Sequence, residues 1–170
     1  MELHLQELDQ VLNLSFQLLN NMAPPIIIGW REWVSLPELG IPRLKTKVDT
    51  GARTSSLHAC CVEVVEETPH RKQVRFIIHP QPKRFPEKSI KCIADLIDIR
   101  EITDSGGHKE SRCVIQTSVV LGTQYWPIEI TLTSRDTMRF RMLLGRTALE
   151  QRFLVDPSHS YLYSKKTIIP

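Results

Sequence analysis

One short motif in this chain has the residue types that catalysis by paired carboxylates requires. Val48 precedes Asp49, Thr50 and Gly51, and Ala52 follows them. A carboxylate at the end of an apolar strand is costly to bury unless hydrogen bonds hold it. Thr50 supplies a hydroxyl, and Gly51 admits a close backbone approach. Two such loops would let two carboxylates share one proton and activate a water molecule between them. A plain β-turn is the alternative, because a three-residue motif also recurs by chance.

Other catalytic arrangements fit the residues less well. Ser55, Ser56 and His58 stand in one local stretch, whereas a Ser–His catalyst needs a third orienting group from elsewhere. We therefore predict that the serine hydroxyls have a structural role and hold the loop around Asp49 in place. The sequence has no H-E-x-x-H zinc motif and no phosphate-binding G-x-x-x-x-G-K-[ST] loop. We expect no metal and no nucleotide cofactor, although zinc ligands that converge only on folding stay an alternative.

A second segment, Leu143-Leu144-Gly145-Arg146, lies near the C-terminus. Together with the aspartate motif it resembles the retropepsin-like aspartic proteases. In that family a strand ending in D-T-G-A precedes a flap hairpin and, later, an apolar-apolar-Gly-Arg segment under the active-site loop. The resemblance implies a catalytic set and a supporting set. The catalytic set is Asp49, Thr50 and Gly51, and the supporting set is Leu144, Gly145 and Arg146.

The resemblance also implies a substrate-binding set, which includes the tip of a flap hairpin. Its members are Ala52, Arg53, Asp104, Ser105, Gly106, Gly107 and His108. Reading D-S-G at Asp104 as a second catalytic loop is disfavoured, because no long apolar strand leads into it and no second Gly-Arg segment follows. The catalytic pair is therefore expected to form across a homodimer. Arg53 replaces an acidic residue common in the viral enzymes, so Arg146 needs another partner.

The match is closer to a bacterial subgroup named for ATP-dependent zinc proteases. It runs from Ile28 to Tyr163 and includes the block from Lys47 to Ala59 and the segment Leu154-Val155-Asp156-Pro157. Some members accompany a ligase that adds glutamates to a ribosomal protein. The resemblance thus implies an endopeptidase acting on a protein or peptide, with a glutamate ligase or a glutamylated ribosomal protein as a partner. A non-catalytic regulatory module of that pathway and a metal-dependent peptidase remain the alternatives.

From Ile26 onward, short apolar runs separated by turn signals predict an all-β fold. We expect a closed barrel with a flap hairpin and one short C-terminal helix over Thr147–Arg152. The predicted strands cover residues 26–34, 45–48, 60–65, 73–79, 90–103, 112–121, 125–132 and 139–144. The turn at Asp104 to Gly107 separates the two flap strands.

The first residues differ from the rest of the chain. Leu5, Leu8 and Leu12 share one helical stripe, and two adjacent prolines, Pro24 and Pro25, end the pattern. We therefore divide the chain into an N-terminal helical extension over residues 1–25 and a protease domain over residues 26–170. The extension is either a docking helix or an over-extended start, since Met22 could itself begin the chain.

Composition and charge disfavour several classes of protein for this chain: nucleic-acid-binding, membrane-spanning and secreted proteins. The chain has 170 residues and a net charge of +3, too weak a basicity to indicate nucleic-acid binding by itself. Residues 1–30 hold three acidic and no basic residues, so the remainder carries +6. No apolar run reaches the ~20 residues of a membrane span, and the acidic N-terminus does not fit a secretory signal. Four cysteines without a C-x-x-C pair indicate reduced thiols in a cytoplasmic protein.

Overall fold

The computed structural model describes residues 25–68, 71–80, 89–103, 107, 109–134 and 140–164. Within them the chain is mostly β, as predicted, with one turn of α-helix. The strands are β1 (Ile26–Gly29), β2 (Arg31–Leu36), β3 (Ile41–Asp49), β4 (Ser55–His58), β5 (Cys60–Thr68), β6 (Arg71–Ile78), β7 (Ile90–Thr103), β8 (Lys109–Leu121), β9 (Gln124–Thr133), β10 (Met142–Gly145) and β11 (Phe153–Asp156). Helix α1 spans Arg146–Leu149. Apart from Pro25, the predicted N-terminal helical extension lies outside the described residues, so it stays a prediction.

Nine strands form one sheet whose hydrogen bonding returns on itself. Their order is β2-β3-β10-β4-β9-β8-β7-β6-β5, and Ser35 of β2 also pairs with Val120 of β8. The pairing between β2 and β8 makes the bonding of the sheet ring-like, which is a coarser arrangement than the predicted closed barrel. Strands β7, β6 and β5 continue beyond that junction as a three-stranded arm, and β7 and β8 form the predicted flap hairpin.

In strands such as β2 and β9, alternation of buried and less buried residues places one face in the core, whereas the short strand β4 is buried throughout. Val34 and Leu36 of β2 are buried between partly exposed neighbours. Ile115 and Ile130 pair across β8 and β9 and are fully buried, as is Leu144 of β10. Burying such a side chain contributes roughly 1.5–3 kcal/mol. The core therefore depends mainly on aliphatic side chains, as the low aromatic content predicts.

The predicted single strand over residues 26–34 is wrong, because the chain turns at Trp30. Strand β1 pairs in parallel with β11, whereas β2 pairs antiparallel with β3. The Trp30 N–H donates to the His159 carbonyl at 3.0 Å, and the Trp30 carbonyl accepts from the Val48 N–H at 2.9 Å. Gly29 permits this turn, since a Cβ there would lie 2.6 Å from the His159 carbonyl oxygen. The β1–β11 sheet is thereby joined to the end of β3.

A buried carboxylate fixes the C-terminal segment against the same turn. Glu32 is fully buried and accepts hydrogen bonds from the backbone N–H groups of Gly29 at 2.8 Å, Leu162 at 2.8 Å, Tyr163 at 3.2 Å and Ser164 at 3.1 Å. A buried charge is tolerated where several donors satisfy it. Glu32 thus holds residues 162–164 against the start of β2.

Candidate active site

The aspartate motif forms a closed turn at the end of β3. The Ala52 N–H points back at Asp49, 3.2 Å from its carbonyl oxygen and 3.3 Å from its carboxylate oxygen Oδ1. Asp49 is half-buried, while Thr50 and Gly51 are exposed. We call residues 49–54 the active loop. As predicted from the motif, a hydrogen-bonded carboxylate stands where an apolar strand ends.

Strand β10 and helix α1 brace the active loop from one side. β10 runs parallel to β3, with Leu144 opposite Val48 and Gly145 opposite Asp49. The Arg146 N–H donates to the Ala52 carbonyl at 2.8 Å. The next residue, Thr147, donates to the Arg53 carbonyl through both its N–H and its hydroxyl. The Gly-Arg segment therefore lies against the loop, as the sequence motif predicts.

The structure shows which groups bind the Arg146 side chain, for which the sequence offered no acidic partner at position 53. Its Nη1 donates to the Thr50 carbonyl at 3.2 Å, and its Nε lies 3.6 Å from a carboxylate oxygen of Glu150. Arg146 thus binds the backbone of the active loop directly, in place of the acidic side chain absent at Arg53. The Arg53 side chain is left exposed beside the groove described below.

Of the two serines after the active loop, Ser55 has the predicted structural role, while Ser56 lines the groove described below. The Ser55 hydroxyl accepts a hydrogen bond from the Gly145 N–H at 3.1 Å. The Ser55 carbonyl accepts from the Thr131 hydroxyl at 3.2 Å. Both serines and His58 lie on β4, which is buried between β10 and β9. These contacts tie β4 to its neighbours and give the hydroxyl a structural partner.

An open groove of about 1490 Å³ lies beside Asp49. Residues of the active loop, of the flap strands and of β9 line it. Lining residues include Asp49, Gly51, Ala52, Arg53, Ile102, Thr103, Thr131 and Thr147. The groove therefore brings the predicted catalytic aspartate and the predicted substrate residues Ala52 and Arg53 to one surface.

The flap tip is described only at Gly107. Strands β7 and β8 pair out to Thr103 opposite Lys109, and Gly107 is exposed with a φ of +82°. That angle favours glycine. The other predicted tip residues lie outside the described residues: Asp104, Ser105, Gly106 and His108. Their contact with a substrate stays a prediction.

Two arginines in the groove have no counterpart among the predicted site residues. Arg100 donates to Asp98 at 2.7 Å and to Glu129 at 2.6 Å. Its hydrogen bond to Asp98 is the main reason why the pKa of that carboxyl lies below its usual value, with the Ile99 N–H adding to the effect. Arg112, almost fully buried, donates to Glu110 at 2.7 Å.

The position of these arginines depends on an irregular strand. The register of β7 against β8 shifts between Leu96 and Asp98, so alternation along β7 does not show which side chains face the groove. Arg100 pairs with Arg112 across the two strands. The only signal in the sequence was the presence of charged residues in otherwise apolar flap strands.

Neither a metal cluster nor a membrane helix is found in the described part of the chain. Within those residues, no three histidine, cysteine, aspartate or glutamate side chains could hold one metal ion. No described helix has the length and apolarity needed to cross a membrane.

The closed Asp49 turn, its Gly145 brace and the groove under a β-hairpin define a retropepsin-like domain. Comparison with known families agrees with this class. The chain belongs to the RimB-like family, described as "Retropepsin-like aspartic endopeptidase RimB", whose profile matches residues 27–166.

Two curated relatives carry a different name. Proteins called "Probable alpha-L-glutamate ligase" from Desulfotalea psychrophila and Shewanella pealeana are 44% and 43% identical over 133 and 145 residues. The matches cover 78% and 82% of this chain but only 28% and 30% of those relatives. This chain thus corresponds to less than a third of each of them.

A solved structure shares the architecture. The Legionella pneumophila protein Lpg0085, of unknown function, matches with a TM-score of 0.68 and 25% identity. The match covers 81% of this chain and 98% of that one.

Proposed function

We propose that this chain is an aspartic endopeptidase whose catalytic pair consists of Asp49 from each of two identical copies. The observation that carries the proposal is the position of Asp49. Its carboxylate is half-buried at the edge of an open groove, in a turn whose backbone is bonded to the Gly145–Thr147 segment. Membership of a family described as aspartic endopeptidases supports the same chemistry.

The reaction follows from the chemistry of two adjacent carboxyl groups. One carboxylate takes a proton from a water molecule, and the oxygen of that water attacks the carbonyl carbon of the scissile peptide bond. The other, protonated carboxyl donates to the carbonyl oxygen, and the leaving amine then receives a proton. A pair that holds one proton can serve both roles, because closely spaced carboxylates do not both ionise readily.

A second copy is needed because the sequence has a single convincing D-T-G loop. In a C2 dimer the same loop from each copy meets at the symmetry axis. Thr50 and Gly51 shape the loop in this proposal, and the flap residues 104–108 cover the substrate. Leu144, Gly145 and Arg146 hold the loop in place through the contacts described above.

The relatives point to the setting in which the peptidase acts. Because this chain matches a segment of proteins named as glutamate ligases, we propose that its substrate or partner belongs to glutamate ligation. The partner would be a ligase or a glutamylated protein, and the sequence resemblance implies a ribosomal protein. The cytoplasm is the corresponding compartment.

A regulatory module without catalysis is the second candidate, and the same relatives favour it. A domain that forms under a third of a ligase relative could bind or restrain the ligase with no cleavage of its own. Under this alternative Asp49 would serve only to close the turn at the end of β3.

One experiment separates the two. Wild-type protein, Asp49→Asn and Asp95→Asn are incubated with a glutamate ligase and with a glutamylated peptide, and fragments are identified by mass spectrometry. Asp95 lies on the arm in an exposed ion pair with Arg71, so its variant is the matched control. We expect cleavage by wild type and Asp95→Asn, and a loss of several orders of magnitude for Asp49→Asn. Equal cleavage by all three proteins would overturn the aspartic mechanism.

A further inference from the structure

A second surface, formed by residues that do not line the groove, carries a cluster of positive charges. Strands β2 and β3 present Arg31, Arg43, Lys45 and Lys47 on one outward face, because Arg31 lies opposite Lys47 in their antiparallel register and residues 43, 45 and 47 alternate along β3. The last three are exposed, and Arg31 is half-buried. We call these four residues the cationic face.

Aromatic rings lie between the cations. The Arg43 guanidinium carbon is 4.2 Å from the centre of the Trp33 ring, and the Lys45 ammonium is 5.1 Å from it. Trp33 in turn stacks on Tyr161, with ring centres 5.8 Å apart. The Arg31 guanidinium carbon lies 5.1 Å from the centre of the Tyr161 ring. The rings therefore lie against three of the four cationic side chains.

The charge on this face is not neutralised by described residues. None of the four cations has a described carboxylate within ion-pair distance. Glu32, the acidic residue within β2, is buried and satisfied by backbone donors. Asp156 pairs with His159 at 2.7 Å. By contrast, the arm cations Arg71 and Lys72 are paired with acidic residues.

We propose that the cationic face binds single-stranded nucleic acid. An arginine that lies over a ring, as Arg43 lies over Trp33, keeps N–H donors at the edge of its guanidinium in the geometry that binds a phosphate. The Arg31 Nε already donates to the Ser160 hydroxyl at 3.1 Å, so this arginine offers its remaining donors. Cations repeat about every 7 Å along β3, so several phosphates of one strand can be contacted together. The rings of Trp30, Trp33 and Tyr161 are half-buried, and the Arg31 guanidinium carbon lies 4.5 Å from the centre of the Trp30 ring. The parts of these rings that stay exposed between the cations add aromatic surface that unstacked bases can contact.

The overall charge of +3 gave no indication of such a site, because it averages over the whole chain. The position of the charges gives the indication instead: four cations that no carboxylate in the described part of the chain pairs share one face with aromatic rings. This inference does not depend on the peptidase activity proposed above.

The test measures binding of a fluorescent oligouridylate RNA of about 20 nucleotides, longer than a typical single-domain site, by anisotropy at several salt concentrations. A DNA oligomer of the same length and poly-L-glutamate are the parallel probes. Four phosphate contacts predict a slope of roughly −2.8 for log affinity against log salt. Stronger binding of RNA than DNA, or the reverse, identifies which nucleic acid is preferred.

Two double variants remove the same charge from different surfaces. Arg43→Gln with Lys45→Gln should weaken binding by about tenfold or more and reduce the slope to roughly −1.4. Arg71→Gln with Lys72→Gln, on the arm, should leave both unchanged. Trp33→Leu should lower affinity while keeping the slope, since stacking releases no counterions. Thermal unfolding of each variant verifies the fold.

Three results would overturn the proposal: no binding of either oligomer at low salt, equal weakening by the two double variants, or equal competition by poly-L-glutamate. The second result would show that binding depends on the net charge of the protein and not on the cationic face. The third would make the face a general polyanion surface without preference for nucleic acid.

Discussion

The backbone of Thr54 occupies the space that a side chain at Gly145 would need. A Cβ on residue 145 would lie 2.5 Å from the Thr54 carbonyl carbon and 2.7 Å from its oxygen. Gly145 has a φ of −80°, which any residue adopts, so the close approach, not backbone conformation, requires glycine. The approach brings β10 near enough to the active loop for the Arg146 and Thr147 hydrogen bonds to form.

Gly145→Ala should therefore disturb the active loop. Backbone atoms must move to admit the methyl group, and such overpacking costs about 1–3 kcal/mol. We expect lower stability in urea unfolding together with a loss of peptidase activity. Gly40→Ala is the control, because Gly40 has a φ of +67° but open space around its Cα. It should lose stability through conformational strain and keep its activity; equal loss of activity in both variants would contradict the bracing role of Gly145.

The Glu32 carboxylate offers a second prediction about stability. Glu32→Gln replaces one acceptor oxygen with an amide NH₂, which faces backbone N–H donors and cannot accept from them. Leaving buried donors unsatisfied should cost about 1–3 kcal/mol. Urea unfolding measures this loss, with Glu101→Gln as the control, because Glu101 is exposed and paired only with Lys109. Equal stability of the two variants would show that residues 162–164 do not depend on Glu32.

The hydrogen bonds to the Glu38 carboxylate predict how the free energy of unfolding varies with pH. The Ser118 hydroxyl and N–H donate to this carboxylate at 2.6 Å and 3.0 Å, and these bonds lower its pKa below the usual 4.5. A lowered pKa in the folded state means that the stabilisation is present above about pH 4.5 and is lost as the pH falls through the lowered value. Unfolding measured from pH 6 down to strong acid should show this loss.

In Glu38→Gln that part of the pH dependence should be absent, because the amide does not titrate. If Glu38→Gln keeps the full acid dependence, other carboxylates are responsible for it.

The local sequence was sufficient to predict the active loop and the flap hairpin. The Asp49 motif and the Gly145 segment each encode their own backbone geometry, and the flap strands are separated by an explicit turn signal. The four-residue β4 was not predicted, because Ser55, Ser56 and His58 show no apolar alternation and are buried only by β10 and β9 on either side. The break at Trp30 likewise depends on His159, which is distant in sequence.

The helix boundary and the partners of a buried carboxylate were also not predicted, because they too depend on residues distant in sequence. The predicted helix over Thr147–Arg152 is present but shorter and begins earlier, over Arg146–Leu149, since the Arg146 N–H is fixed by the active loop. Glu32 occupies a buried position in the alternation of β2, so its burial could have been predicted. Most of its partners could not, because apart from the nearby Gly29 N–H they come from a C-terminal segment more than 100 residues away.

The cysteines should differ widely in reactivity. Burial raises the pKa of the Cys92 thiol to about 11, so it stays protonated at neutral pH, and thiolates are the reactive form. Cys61 is exposed. Timed iodoacetamide labelling followed by peptide mapping should modify Cys61 first and Cys92 only after unfolding in urea. Early labelling of Cys92 in the folded protein would contradict its buried position.

Mixing of two copies tests the shared catalytic pair most directly. If each active site takes one Asp49 from each copy, a dimer that contains a single Asp49→Asn chain has lost the pair and should be inactive. After subunit exchange, an equal mixture of wild type and variant should retain about one quarter of the activity of the same total amount of wild type, because only that share of dimers has two wild-type chains. A site complete within one chain would retain about half. Mixing wild type with Asp95→Asn controls for exchange itself and should leave the activity unchanged, and sedimentation of the mixture verifies that the dimers persist. A value near half, with exchange demonstrated by mass labelling, would mean that Asp49 does not act in a pair across the dimer.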